Sequence, residues 1–379
     1  MHHLLPYHLV HTVGTSLWTH LVRLVPAVAA PGTERADEAR VESRTAELVK
    51  ALLARDPASR ELGAELGCLA SLRARGGVLE PPARNQLLVS DTRQGKLVGE
   101  ILRGVFEGWN WPCEVIVVRD LQDDDPERFA REGLRALAGL IAQAFRESGD
   151  PSRVLINATG GYKAQIAIAT LMGQAFGATV VYKHERFDRL ITIPPMPVRF
   201  DLEPIRPHLA WLEELEEAGM LIRPEPLAPV LEVLVEEEVL DGQPWVALSP
   251  VGQIALEQLL ASTEGVLPGP AARRRFPHFR DDHFPEGFRE YVHRIFERET
   301  FIEHITSVSY AGQASIRHGD FFLRQAEDEA GGDRRGERWS IIGEYRSDFG
   351  ARFRLFTTAR SMSERQAVIA HLKATYGPS

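Results

Sequence analysis

The sequence predicts an α/β part built on a parallel, doubly wound sheet, followed by two small α+β parts. Three observations lead there. Over residues 1–200, short apolar runs alternate with stretches of helical period, the pattern of a parallel sheet with crossover helices. Thr263–Pro270 carries two glycines and two prolines and reads as a linker. After it, three strand-like segments sit close together between helical patterns. A chain of 379 residues is also longer than one core usually serves. The boundaries read as 1–200, 201–265 and 266–379.

In chain order, Tyr7–Thr12 reads as a buried strand, and Gly14-Thr15-Ser16 turns into a helix. Glu38–Ala54 and Asp56–Glu80 have helical character. Gln86–Ser90 is a strand, Gly95–Glu107 a helix and Cys113–Val118 a strand. Pro126 opens a long helix marked by Phe129, Leu134, Leu137, Leu140 and Ile141. Arg153–Ile156, Tyr162–Phe176 and Ala178–Tyr182 repeat the strand–helix–strand unit, and Leu190–Ile193 adds a last short strand. In the middle part, Leu209, Leu212 and Leu215 form a helical stripe opposite Glu213, Glu214, Glu216 and Glu217. A second helix is expected over Leu227–Val235, then a strand pair including Trp245–Leu248, then a helix starting at Pro250 behind Ser249. That order is winged-helix-like. In the last part, Phe284, Phe288, Tyr291, Val292, Ile295, Phe296, Ile302 and Ile305 give one long helical pattern with a possible break near Glu299. Ser315–Arg324, Arg338–Arg346 and Ala351–Thr358 read as strands. Ser363 is expected to cap a closing helix.

Composition narrows the class. Hydrophobic residues make up 44% and charged residues 26%, as in a globular protein. No apolar run approaches the ~18 residues of a membrane span. Ala27-Val28-Ala29 suggests a signal-peptidase site, but His11, Thr12, Thr15, Ser16, His20 and Arg23 break the stretch before it, and a secretory core needs about 7–15 apolar residues. The two cysteines, Cys68 and Cys113, have no paired spacing, so neither a disulfide framework nor a cysteine zinc site is expected, in keeping with a reducing cytoplasm. The net charge of −9 is unevenly spread. Asp201–Gly265 holds Arg206 and Arg223 against 14 acidic residues, whereas Val266–Ser379 holds 18 basic against 16 acidic. An acidic middle repels phosphate backbones, and arginine clusters in the tail can hold one.

The most informative motif is Asn157-Ala158-Thr159-Gly160-Gly161-Tyr162-Lys163, at the carboxyl end of a strand and the start of a helix. Ligands bind there in doubly wound sheets, and paired glycines let backbone amides approach a phosphate or ribose. Neither a Walker pattern nor GxGxxG is present, which disfavours nucleotide hydrolysis and NAD binding. Gly14-Thr15-Ser16 lies at a second strand end facing the same crevice. These two loops resemble the signature loops of CARF domains, the Rossmann-like sensors of CRISPR-associated proteins, and His11–Ser16 matches their first loop. The resemblance covers residues 1–200. It implies a homodimer with a cyclic oligoadenylate, cyclic tetra-adenylate foremost, across its two-fold axis as activator. The implied contacts are Gly14, Thr15, Ser16, Asn157, Thr159, Gly160, Gly161, Tyr162 and Lys163, with Asp91 and Thr92 of Ser90-Asp91-Thr92 as a third contributor. No other cofactor and no metal is expected.

The tail carries Arg317, Arg324, Arg338, Arg346, Arg352, Arg354 and Arg360 on or beside its strands. Arg352 and Arg354 alternate with Phe353 and Leu355, so one face packs and the other presents guanidinium groups. Helix, antiparallel meander and closing helix over Phe284–Lys373 resemble the RelE family of messenger-RNA interferases. That likeness implies cleavage on the ribosome without metal, with Arg338, Arg360, Arg324, Arg317 and Arg354 as candidate catalytic residues. The family's first strand, ahead of its helices, has no counterpart in the pattern. The Glu213–Glu217 and Glu236–Glu238 clusters are either solvated faces or a dock for a basic ribosomal protein. Two other readings stay open. A HEPN ribonuclease is marked by R-x-x-x-x-x-H, matched by Arg298 to His304 and by Arg365 to His371. A winged-helix transcription regulator needs a basic recognition helix, which the acidic middle does not offer.

Overall fold

The computed structural model describes residues 8–56, 63–74, 84–111, 113–184, 189–197, 200–263, 265–279, 283–308, 316–325 and 339–377. The chain divides into two compact units, residues 1–206 with 215–258, and residues 207–214 with 259–379. No helix among the described residues is long and apolar enough to cross a membrane.

The first unit is organised by a six-stranded sheet: β1 (His8–Thr12), β2 (Arg84–Ser90), β3 (Glu114–Val118), β4 (Val154–Asn157), β5 (Thr179–Tyr182) and β6 (Ile191–Ile193). Their order is β3-β2-β1-β4-β5-β6. The first five strands are parallel and β6 closes the edge antiparallel. Alternation along each strand feeds two cores. Leu9, Leu87 and Val89 pack with Leu48, Val98, Ile101 and Phe106 on one face. Val10, Leu88 and Ile156 pack with Leu137, Ile141, Met172 and Val180 on the other. Burial on both sides is why these strands read as unbroken apolar runs. Glu38–Ala54 is two helices, Glu38–Ser43 and Thr45–Leu53, parted at Arg44, whose φ of −121° leaves the helical range. The helix begun at Pro126 passes through a π turn at Phe129–Gly133 before continuing over Leu134–Ser148.

The acidic middle segment forms a three-stranded antiparallel sheet, β7 (Leu221–Ile222), β8 (Val235–Leu240) and β9 (Gln243–Leu248), in the order β7-β9-β8. Helices Leu209–Ala218 and Pro250–Thr263 flank it, and Ser249 Oγ caps the latter by accepting from Gly252 N at 3.0 Å. The helix expected over Leu227–Val235 does not form. Only one 3-10 turn, Pro229–Leu231, is present. Pro229 removes a backbone donor, and from Val235 the segment Val235–Leu240 pairs with β9 instead.

The second unit has a four-stranded antiparallel sheet: β10 (Ile302–Val308), β11 (Phe321–Gln325), β12 (Trp339–Arg346) and β13 (Gly350–Thr357), ordered β10-β13-β12-β11. The long helix expected through Ile305 stops at Arg298, and Ile302–Val308 is a strand. The misleading signal is a bulge: the pairing register shifts between Ile302 and His304. One extra residue puts Ile302 and Ile305, three apart, on one buried face and so imitates helical spacing. The strand expected over Ser315–Arg324 begins only at Phe321, and Ser315 lies outside the described residues. The closing helix, Met362–Tyr376, is capped by Ser361 rather than Ser363: Ser361 Oγ accepts from Glu364 N at 3.1 Å. Ser-x-x-Glu from Ser361 to Glu364 is a capping box.

Candidate functional site

The site in the first unit follows from strand order. After β1 the chain leaves in one direction and after β4 in the other, so the carboxyl ends of these neighbours open a crevice. A cavity of about 270 Å³ lies there. Val13, Gly14, Thr15 and Ser16 line it from the loop after β1, and Thr159, Gly160, Gly161 and Tyr162 from the loop after β4. Ser90 joins from the end of β2 and Glu65 from the helix Gly63–Ala74.

The two loops are in backbone contact, and this is what the glycines are for. A Cβ on Gly14 would sit 2.5 Å from Gly161 N, and one on Gly160 would sit 2.8 Å from Gly14 N. Gly161 has φ of +106°, and a Cβ there would meet Gln165 Oε1 at 2.1 Å. That oxygen instead accepts from Tyr162 N at 3.2 Å, ordering the entry to helix Lys163–Phe176.

Beneath the loops runs a buried polar chain. His11 Nε2 donates to Asn85 Oδ1 at 2.8 Å, so Nδ1 accepts from Asn157 Nδ2 at 3.0 Å. Asn157 Oδ1 takes Thr159 Oγ1 at 2.6 Å and Cys68 Sγ at 3.1 Å. Thr159 Oγ1 in turn accepts from Lys183 N at 3.0 Å. Thr12 Oγ1 donates to Gly160 O at 2.6 Å, fastening one loop to the other strand. Burial holds the His11 imidazole down to about 4, so it is neutral near pH 7 and both ring nitrogens serve the chain. Burial likewise pushes the Cys68 thiol up to about 11, leaving it a donor rather than a nucleophile.

Of the residues proposed from sequence, Gly14, Thr15, Ser16, Thr159, Gly160, Gly161 and Tyr162 come together at the cavity. Asn157 lies under it, buried in the polar chain. Lys163 is exposed at the first turn of its helix and is not a lining residue. Asp91 and Thr92 hold structure instead. Asp91 pairs with Lys96 at 2.8 Å and accepts from Asp120 N at 3.3 Å; the Lys96 hydrogen bond holds its carboxyl below the usual range. Thr92 caps helix Arg93–Gly108, accepting from Gly95 N at 3.0 Å. Ser90 is the member of that trio that reaches the cavity. Glu65 was not legible: it is one carboxylate in a Leu/Ala-rich helix, with nothing local to mark it.

In the second unit, pairing register places Arg354 beside Ile342 on one side and Thr306 on the other, with Phe356 opposite His304. Arg324 pairs with Ser340 one row away. These residues share one sheet face, while Phe353, Leu355 and Ile341 pack with Phe288, Val292 and Val368 in a core on the other. His304 stacks on Phe356 at 4.1 Å and 7°, and the Arg354 guanidinium lies 5.8 Å from the same ring. Burial, then the Arg324 charge, lowers the Arg354 pKa. Arg352 on this face is held by buried Glu344 at 2.7 Å. Arg317 precedes β11 in an exposed turn, and its backbone N–H donates to Glu344 Oε2 at 2.8 Å. Arg360 follows β13 and pairs with Glu303 at 3.1 Å. Arg338 lies outside the described residues. The face thus gathers Arg324 and Arg354, with Arg317 and Arg360 beyond the strand ends. Of the two R-x-x-x-x-x-H pairs, Arg298 ends a helix and His304 is on β10, whereas Arg365 and His371 share the helix Met362–Tyr376, where His371 binds Glu299 at 3.0 Å.

Two outcomes are expected from this geometry. A histidine in the unfolded chain takes its proton near 6.5, whereas folded His11 resists to about 4. Between those values the unfolded chain binds more protons, so stability falls as pH drops from 6.5 toward 4, by up to about 3 kcal/mol. Urea unfolding at pH 7 and pH 5 measures it, and His11→Gln flattens the difference; an unchanged slope in that variant removes His11 as its source. Gly161→Ala combines a left-handed backbone with a collision on Gln165 and should cost ~1–3 kcal/mol in the same measurement.

Residues 60–196 match a family described as CRISPR-associated protein (Cas_APE2256). The match takes in helix Gly63–Ala74, strands β2 to β6 and the Thr159–Tyr162 wall of the cavity. Among solved structures, the chain is similar to Can2 from Sulfobacillus thermosulfidooxidans in complex with cyclic tetra-adenylate, at 8% identity and a TM-score of 0.27. That similarity covers 69% of this chain and 64% of Can2, so the chain spans less than two thirds of that protein's length. The sheet-bearing stretch that forms one wall of the crevice is thus the stretch similar to a CRISPR-associated family.

Proposed function

We propose that the chain is a cytoplasmic CRISPR-associated effector whose first unit is a CARF-type sensor of cyclic oligoadenylate and whose second unit is a RelE-type endoribonuclease. The observation that carries the sensor half is the switch-point crevice walled by two glycine loops, the second of which lies in the stretch similar to a CRISPR-associated family. A cavity of about 270 Å³ falls at the low end for a small-molecule site and is too small for a ring of several nucleotides. A second copy facing it doubles the site, and a two-fold site matches an even-numbered ring, cyclic tetra-adenylate first.

For the second unit, the support is the sheet face that holds Arg324 and Arg354 close enough for one charge to act on the other. Such a pair attracts a phosphate and repels a divalent cation, so the chemistry is written without metal. Attack of a 2′-OH on the adjacent phosphorus, its proton passing to a ribosomal group or solvent, gives a phosphorane whose charge the guanidinium groups stabilise; its collapse breaks the P–O5′ bond, leaving a 2′,3′-cyclic phosphate and a 5′-oxygen that takes up a proton. Arginine stays protonated and is a poor base, which is the reason for placing the reaction on the ribosome, where messenger RNA is held in line. Arg338 and Arg360 complete the proposed set, with Arg317 at its edge. The acidic middle, in this reading, docks a basic ribosomal protein. Glu214 and Glu217 are its candidates.

The test is RNA cleavage with and without ribosomes, each with and without cyclic tetra-adenylate. Cleavage is expected only with both. Arg354→Ala and Arg338→Ala should each lower it roughly 10²-fold while ring binding by calorimetry is unchanged. Lys163→Ala should weaken ring binding roughly three- to tenfold, the scale of a partly screened charged contact. Cleavage of free RNA that needs Arg298 and His304 but not Arg354 gives the second unit to the HEPN alternative. Ring-dependent DNA binding without cleavage favours a transcription regulator.

A further inference from the structure

The sensor cavity has one feature that does not suit a polyanion. Glu65 presents a carboxylate at its wall, and its side chain is 3% exposed. Ser16 Oγ donates to Glu65 Oε2 at 2.5 Å, while Oε1 is buried without a hydrogen-bond partner. That oxygen lies against both glycine loops, 2.7 Å from where a Gly160 Cβ would be and 3.2 Å from a Gly14 Cβ. A buried carboxylate with one oxygen unsatisfied is costly, and the cost is recovered only if something donates to it. The adjoining walls are glycine backbone, short hydroxyls, Val13 and Tyr162, and none of them donates to Oε1. Glu65 is itself a lining residue of the cavity, so a donor on a bound ligand can reach this carboxylate once the carboxyl turns outward from the glycine backbones.

We propose that Glu65, with Ser16, is the specificity-determining contact of the cavity, accepting a hydrogen bond from a ribose 2′-OH of the bound ring. The inference rests on the cyclic oligoadenylate reading above. A carboxylate repels phosphate, so the phosphodiesters lie away from this wall, toward Gly161 and the N-terminal end of helix Lys163–Phe176. What then meets Glu65 is a neutral donor edge. In a 3′,5′-linked ring the 2′-OH is the sugar's one free donor, and a carboxylate reading a ribose hydroxyl is a recurrent solution in doubly wound sheets. The role is selection: the cavity accepts a ribonucleotide ring and rejects its deoxy counterpart.

The experiment is a binding cycle by calorimetry on the full chain, with cyclic tetra-adenylate, its 2′-deoxy analogue and cyclic tetra-inosinate, which replaces the exocyclic amine by a carbonyl. The native chain should bind the deoxy ring about 10- to 100-fold more weakly, the scale of a hydrogen bond to a charged group. Glu65→Leu should abolish most of that preference, and Glu65→Gln, which keeps the side-chain shape and one acceptor, should reduce it to a few-fold. Deoxy discrimination unchanged in Glu65→Gln, or loss of inosinate discrimination instead, overturns the proposal and assigns Glu65 to loop structure or to the adenine edge. Failure of the native chain to bind cyclic tetra-adenylate at all overturns the sensor reading itself.

Discussion

The first unit depends on one close approach: two loops from neighbouring strands touch through backbone, with no side chain between them. Gly14 against Gly161 and Gly160 against Gly14 leave no space for a Cβ. Strand order alone brings the loops to the same end of the sheet. Contact requires that the strands beneath be held in register, and the buried chain from Asn85 through His11 and Asn157 to Thr159 does this. His11, Asn157 and Thr159 each both donate and accept, and a charged His11 would leave a buried group unpaired. A neutral His11 is thus part of the scaffold of the cavity.

The second unit solves a different problem. Its sheet buries one face under helices Phe288–Arg298 and Met362–Tyr376, through Phe288, Phe353, Leu355 and Val368. The other face keeps Arg324, Arg352 and Arg354 near one another. Glu344 restrains one of these charges, and the Arg324 charge acts on Arg354. Concentrating like charges on one face opposes folding. Phe356 carries His304 on its ring beside these arginines, so the face offers a flat surface as well as charge.

The acidic middle segment is less a free surface than its charge suggests. Glu257, buried, pairs with Arg146, Glu238 with Arg131, and Glu237 with Arg223. Glu213 accepts from Met362 N at 2.5 Å and from Ser363 N at 3.1 Å, at the start of the closing helix. A carboxylate at a helix N-terminus is stabilising through the exposed amides and the helix dipole. Part of the clustered acidity is therefore structural.

The sequence by itself determined the alternation of strands and helices in the first unit, because parallel strands buried on both faces leave unbroken apolar runs between turns. It also marked the two polar glycine loops, because only glycine tolerates the approach they make. It misled where local pattern has two physical causes. The bulge at Ile302–His304 spaced buried isoleucines as a helix would, and the segment after Pro229 carried apolar residues that a hairpin claimed. Asp91 and Thr92 lay beside the right strand end, but partners distant in sequence, such as Asp120, and the demand for a helix cap took them. Glu65 could be found only in three dimensions. It shares a wall with Ser16, 49 positions earlier, and with Gly160, and no local spacing records that. Which carboxylate of a helix meets a cavity is decided by how that helix packs on the sheet, and packing is a property of the whole core.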